Sequence, residues 1–349
     1  MNNFELLPSR EAGLERLKAF LPSAGKEYSA LRNYDLGQNN HIHVSMLSPY
    51  IRHRAITETE VLKSVLGSHS TKSAEKFIQE IFWRTYWKGW LEMRPSVWAD
   101  YCSNLNRLLD QLQTQSSFRK SWEDACQGNT GIECFDVWAK ELSDTGYLHN
   151  HARMWFASIW IHTLELPWEL GADFFLRHLL DGDPASNTLS WRWVGGAQTV
   201  GKTYMASTQN IKKFTKDRFS KMNLSSTPQM ILGSKNPERI PISFDEIPYK
   251  HTKYAILLHS EDMDWSVLKD LLPLYSLFTI VGISLPKLQA EIFSGIVGSK
   301  VTQQWDPSLD NQANKKFVND FKKQFGKYPS FYAAQSYDTI NMIASAVMA

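Results

Sequence analysis

From Glu11 to about Lys221 the chain repeats apolar residues at spacings of three and four, and no alternating strand pattern interrupts the run. A chain of that kind folds as packed helices. "EAGLERLKAFL" shows the pattern, and so does "SAEKFIQEIFWRTYWKGWLEMR", with Ser73 as its expected N-cap and Glu75 in its first turn. "ARMWFASIWIHTLEL" is apolar nearly all round and reads as a buried helix, while "GADFFLRHLLDGD" reads as a helix ending at Gly182.

Near Leu224 the composition changes. "LSSTPQMILGSKNPERIPISFDEIP" carries four prolines and reads as an extended linker, taken as residues 223–250. Beyond it, "KYAILLHSEDMDWSVLKDLLPLYSLFTIVGIS" has the order strand, loop, helix, strand, and "NKKFVNDFKKQFGKYPSFYAAQSYDTINMIASAVMA" predicts two helices around a Gly–Lys–Tyr–Pro turn. The expected organisation is a mainly α protein: a helical domain over 1–222, the linker, and a small α/β lobe over 251–349. No internal repeat or low-complexity segment occurs.

Hydrophobic residues make up 43% of the 349 and charged residues 21%, enough for a sizeable core. The net charge of +2 permits a nucleic-acid partner without arguing for one. The aromatic load of 13 Trp, 13 Tyr and 18 Phe is more informative. Trp83, Trp87, Trp90 and Trp98 sit close in sequence, as do Trp155 and Trp160, and Trp191 and Trp193. They form either a core of large rings or a site that stacks planar rings such as bases or a flavin. Cys102, Cys126 and Cys134 match no metal or redox spacing, which fits a reduced cytoplasmic protein. The N-terminal stretch has no apolar h-region, and no apolar run approaches a membrane span.

Glu80, Trp83, Arg84 and Trp87 share a helix face. They are either an ion pair beside core tryptophans or the wall of a ring-stacking pocket. His149 and His151 form an HxH pair, but residues two apart on a helix diverge and no further ligand stands near, so no metal is expected. A buried Arg153 requires a carboxylate, which the "DGD" of residues 181–183 supplies. Ser45 and Ser48 precede Pro49, where a helix can begin and a phosphate can dock, although such a serine is usually a cap. "GGAQTVGKT" imitates a phosphate-binding loop but does not follow a strand.

Taken in order, "YSALR", "SMLSPYI", "AEKFIQEIFWR", "NTG", "DTGYLHNHARM" and "LLDGDPASNTLSWRW" resemble the helical flavin-binding domain of the DNA photolyase and cryptochrome family, from about Tyr28 to Phe214. The resemblance implies FAD. Tyr28, Val44, Ser45, Leu47 and Ser48 would grip its phosphates and ribitol, with Val44 where a threonine is common. Asn150, Arg153, Asp181, Gly182, Asp183 and Asn187 would line the flavin, with Arg153 paired to Asp181 and Asn187 facing the ring N5.

For damaged DNA the resemblance implies that Trp83 and Trp193 cradle a flipped-out pyrimidine dimer and that Glu80 binds its polar edge. Asn150, His151 and Met154 would complete that cavity, and Arg84 would meet backbone phosphate. The implied chemistry is blue-light-driven splitting of a cyclobutane dimer by an electron lent from reduced FAD, with Glu80, Trp83, Asn187 and Trp193 as the residues at the reaction. Trp191 and Trp168 match the inner members of an electron relay, whose surface member falls near Gln115. The chain begins almost at the helical domain, as in short antenna-less members, so no antenna chromophore is expected. Residues 293–349 resemble part of a periplasmic branched-chain amino-acid receptor. The alternative function is a cryptochrome-like photoreceptor acting through a protein partner.

Overall fold

The computed structural model describes residues 6–199, 202–220, 222–229, 236–242, 254–258, 278–283, 300–302 and 312–325. Contacts divide the chain into two units, Met1–Pro248 and Tyr249–Ala349. The first is helical: α1 (Arg10–Phe20), α2 (Lys26–Leu31), α3 (Ser48–Arg52), α4 (Glu58–Ser68), α5 (Thr71–Glu92), α6 (Pro95–Thr114), α7 (Ser116–Gln127), α8 (Glu133–Thr145), α9 (Asn150–Ser158), α10 (Trp168–His178), α11 (Pro184–Val194) and α12 (Thr208–Thr215).

Local chemistry sets these boundaries. Thr57 and Glu60 close a capping box on α4, and Asp183 accepts from the Ser186 N–H at 2.8 Å to start α11. Helix α8 stops at Gly146, whose φ of 68° lies in the left-handed region that a Cβ disfavours. Helix α5 begins earlier than its pattern suggested: the capping side chain is Ser70, which accepts from the Ser73 N–H. Helix α10 ends at His178, not Gly182, because Leu179 turns to an extended ψ of 125°. The segment read as one helix from Ala152 changes hand-fit midway: α9 gives way to a π turn over Ile159–Thr163, which adds one residue to the repeat.

The core answers the question posed by the tryptophans one by one. Trp138, Trp155, Trp160 and Trp191 are fully buried, together with Phe135, Phe156 and Phe174. Most of the indole N–H groups there find partners. Trp138 donates to Asp35 Oδ2 at 2.9 Å, Trp155 to Asn210 Oδ1 at 3.0 Å and Trp160 to the Pro167 carbonyl at 2.9 Å. Each such ring contributes about 2–3 kcal/mol through burial. Trp90 packs in a separate cluster with Val97 and Leu189, which ties α5 to α6 and α11. Described parts of the Pro-rich stretch are held to this unit: the Ser225 N–H donates to Thr163 Oγ1, the Gln229 N–H to His162 Nδ1 and the Ile240 N–H to the Met93 carbonyl.

In the second unit β1 (Tyr254–Leu258), β2 (Phe278–Ile283) and β3 (Lys300–Thr302) form a parallel sheet in the order β1-β2-β3, with Tyr254 opposite Phe278 and Val281 opposite Lys300. A helix covers Gln312–Phe325, with Phe317 and Val318 buried. Parallel neighbours require crossovers; the helix expected between β1 and β2, the last helix of the chain and most of the receptor-like stretch lie outside the described residues. Among the described residues no helix is long and apolar enough to cross a membrane.

Candidate functional site: a charged and aromatic cavity in the helical unit

A cavity of about 730 Å³ opens among α2, α3, α5, α9 and α11, within the range of sites for small organic ligands. Its lining includes Tyr28, Val44, Ser45, Leu47, Ser48, Glu80, Trp83, Arg84, Asn150, His151, Arg153, Met154, Asp181, Asp183, Asn187, Trp191 and Trp193. Seventeen positions singled out in the sequence therefore meet in one place. Two do not. Gly182 stands behind the lining and contributes its carbonyl, which accepts from Arg52 Nε at 3.0 Å. Trp168 is buried elsewhere, its ring 5.5 Å from that of Tyr101.

The buried end is ionic. Both Arg153 Nη atoms reach the two Asp181 oxygens at 3.0 Å, and Arg153 Nε donates to the Leu148 carbonyl at 2.8 Å. Burial opposes the Asp181 charge, yet Arg153 in front of it, with help from Ser48 and Arg84, holds the carboxyl below the usual carboxylate range. Asp183 behaves alike: burial raises its pKa, but the Ser186 N–H and the cations Lys88, Arg84 and Arg52 win. Lys88 lies 3.5 Å from its Oδ2 and Arg52 Nε 3.8 Å. Four cations thus surround two carboxylates, a surplus that suits an anionic guest.

The Arg84 guanidinium is turned inward: Nη2 donates to the Ser48 carbonyl at 3.4 Å, and Nη1 is buried without a hydrogen-bond partner. Burial depresses its pKa, while Asp181, Asp183 and Glu58 raise it. Arg84 thus lies at the ionic end of the lining, near Asp181 and Asp183. Trp191 Nε1 is also buried with no partner. Two orphaned donors in one lining are the mark of a site built around something with acceptor oxygens or nitrogens.

Asn187, on α11, donates its amide N–H to the Ala172 carbonyl at 2.8 Å. That leaves its Oδ1 as an acceptor. The loop before α3 contains Met46, which sequence reasoning did not single out. It is buried at a φ of 52°, left-handed backbone that a side chain disfavours.

The other end is aromatic and more open. Trp83 is 48% exposed and lies 5.5 Å from Trp87 in a near-parallel stack, with the edge of Tyr86 5.3 Å away. Glu80 forms an ion pair with Arg32; burial raises its pKa and Arg32 only partly offsets that. Trp193 stacks at 5.5 Å on Tyr204. So the face shared by Glu80, Trp83, Arg84 and Trp87 lines the cavity and carries an ion pair, Glu80 with Arg32. Arg32, Asn33, Trp87 and Tyr147 also line the cavity; Arg32 and Tyr147 fall within the quoted motifs and Trp87 on the shared helix face, while Asn33 carried no sequence signal.

His149 is not a ligand on a helix face. It caps α9, its Nδ1 accepting from the His151 N–H at 3.2 Å, and no group of three or more His, Cys, Asp or Glu is placed to hold a metal among the described residues. The "GGAQTVGKT" stretch follows α11 directly, so it leaves a helix and not a strand.

Residues 77–221 match the model of the FAD binding domain of DNA photolyase. Over that stretch, which runs from α5 to beyond α12, the chain is similar to the FAD-binding domain of photolyases. It is 27% identical over 271 residues to the mitochondrial deoxyribodipyrimidine photo-lyase of Saccharomyces cerevisiae, covering 75% of this chain and 46% of that protein. It is 32% identical over 161 residues to the deoxyribodipyrimidine photo-lyase of Streptomyces griseus, covering 44% and 32%. The chain therefore spans less than half the length of these relatives. Among solved structures, a class III photolyase from Agrobacterium tumefaciens superposes with a TM-score of 0.50 at 25% identity, over 60% of this chain and 43% of that one. The cavity fits FAD on its own chemistry: surplus cations toward a diphosphate, two unmatched buried donors, and an acceptor amide beside a ring-lined wall.

Proposed function

We propose that this protein binds FAD in the cavity and uses blue light to split cyclobutane pyrimidine dimers in DNA. The carrying observation is that a single cavity joins the Arg153–Asp181 pair to Glu80, Trp83 and Trp193. A cavity that joins the two ends would bring a bound flavin and a flipped-out dimer into one space. The chemistry that bound, reduced FAD supplies is the loan of one electron on excitation.

The chain's own residues do the rest. Arg84 and the cations around Asp183 hold the phosphates. Asp181, fixed by Arg153, and Asn187 Oδ1 accept from ring and ribityl donors. One Asn187 N–H is committed to Ala172, so its Oδ1 is free to accept from a ring nitrogen that bears a proton. Trp83 and Trp193 stack the extruded bases, at about 1–3 kcal/mol per base, against an unstacking cost that damage has already lowered. The Glu80 carboxyl takes the polar edge. Burial raises its pKa, which favours the protonated form, a donor to a base carbonyl, relative to a carboxyl in water.

The test mixes purified protein carrying reduced flavin with oligothymidylate that contains a cyclobutane dimer, under blue light and in the dark. Light-dependent loss of the dimer supports the proposal. An unchanged dimer alongside a normal flavin photocycle refutes repair and favours light sensing through a protein partner. A (6–4) lesion run in parallel separates the two lesion classes.

A further inference from the structure

Behind the aromatic end of the cavity stands Tyr204, on the stretch between α11 and α12 that carries no recognisable motif. It touches two lining residues from different helices. Its ring stacks on Trp193 of α11, with centroids 5.5 Å apart and planes at 27°. Its hydroxyl lies 3.4 Å from Nε2 of His151 on α9.

The direction of that second contact follows from chemistry. His151 Nδ1 is 3.0 Å from the Asn33 carbonyl, which can only accept, so Nδ1 carries the ring proton. Burial lowers the His151 pKa and keeps the ring neutral, leaving Nε2 as an acceptor. Tyr204 therefore donates. Burial pushes the Tyr204 hydroxyl up to about 12, so its proton stays in place at any working pH.

Each partner is held from its other side. The His151 ring lies 4.0 Å from Trp155 in a near-parallel stack, and Trp155 is tied to Asn210 at the start of α12. The Tyr204 backbone is pinned by its N–H to the Val194 carbonyl at 2.9 Å, and the Ala206 N–H donates to Ser158 Oγ at 2.8 Å. Tyr204 is thus a crosspiece between α9 and α11.

We propose that Tyr204 is a positioning residue for the lesion: its ring fixes the tilt of Trp193 and its hydroxyl fixes His151, so the two keep the spacing that admits a dimer and not two separately stacked bases. This inference rests on the repair reading given above.

The test uses the flavin-loaded full chain with Tyr204→Phe and Tyr204→Leu. Binding is read in the dark by fluorescence anisotropy on a single-stranded oligothymidylate with one cyclobutane dimer and on the same strand undamaged. Loss of the stack and the hydrogen bond in Tyr204→Leu lowers the preference for the damaged strand by about tenfold. Tyr204→Phe, which keeps the ring, lowers it by about threefold. Flavin content and affinity for the undamaged strand stay at the level of the unaltered protein in both. Full preference in both variants overturns the inference while leaving repair standing. A parallel fall in flavin content and in undamaged-strand binding also overturns it, since that marks a residue that only supports the fold. No preference in the unaltered protein removes the repair reading itself, and this inference with it.

Discussion

Replacing Asp181 by asparagine tests the ionic end of the cavity most directly. The change is isosteric, so it removes charge and little else. The pair it breaks is bidentate at 3.0 Å, with side-chain exposures of 22% for Arg153 and 5% for Asp181. Removing one partner of a buried pair costs about 3–5 kcal/mol, because the other charge is left uncompensated. Asparagine keeps one acceptor and Arg153 keeps the Leu148 carbonyl, which puts this case at the low end, about 3 kcal/mol. For a unit of this size the melting temperature falls by about 6–12 °C at pH 7. Differential scanning calorimetry reads that shift, and flavin absorbance after purification reads the loss of cofactor that accompanies it. The pH dependence adds a signature. The folded pKa of Asp181 lies below its unfolded value, so its contribution is fully present above the ordinary aspartate pKa of about 4 and is lost as the pH falls through the folded value. The gap between the two proteins is therefore constant at neutral pH and closes only in stronger acid. An Asp181→Asn protein that melts with the unaltered one at pH 7 and retains its flavin refutes the reasoning.

Three further outcomes are expected. Burial, only partly countered by Asp35, lowers the His149 pKa to about 3; the unfolded chain takes up that proton near 6.5 and the folded one does not, so stability declines as pH drops through this window. His149→Asn, which keeps a capping acceptor, flattens the decline in a melting-temperature series from pH 7 to 4. A Cβ at Gly171 falls 2.3 Å from Trp191 Cη2 and 3.0 Å from Trp160 Cε2; Gly171→Ala destabilises the unit by about 1–3 kcal/mol and alters its near-ultraviolet circular dichroism. Glu80→Gln leaves flavin content unchanged and weakens binding of the dimer-containing strand by about tenfold, read by anisotropy, whereas stripped flavin would move Glu80 out of the substrate end.

The helical half was legible because its signals are local. Apolar spacing marks α5 and α9, and an arginine facing a carboxylate pair is forced once both are buried. What was not legible depends on tertiary neighbours. Nothing near Arg84 in sequence says that its guanidinium donates to the Ser48 carbonyl. Tyr204 and Arg32 act across 53 and 48 residues of chain. The strained φ of Met46 has no sequence mark, since methionine is not a residue that prefers it. The stop of α10 at His178 was missed because Leu179 and Leu180 continue the apolar pattern past the true end.

The π turn at Ile159–Thr163 has a consequence for how this wall tolerates change in length. Its one surplus residue rotates everything downstream by about 100° relative to an uninterrupted helix. Upstream, Arg153, Met154 and Ala157 line the cavity; within the turn itself, Trp160 reaches the Pro167 carbonyl and His162 receives the Gln229 N–H. Excising a single residue there would rewind the segment into regular helix and dial Trp160 away from its acceptor. The bulge works as a phase adjuster, letting one rod serve two surfaces that a constant pitch would set out of step.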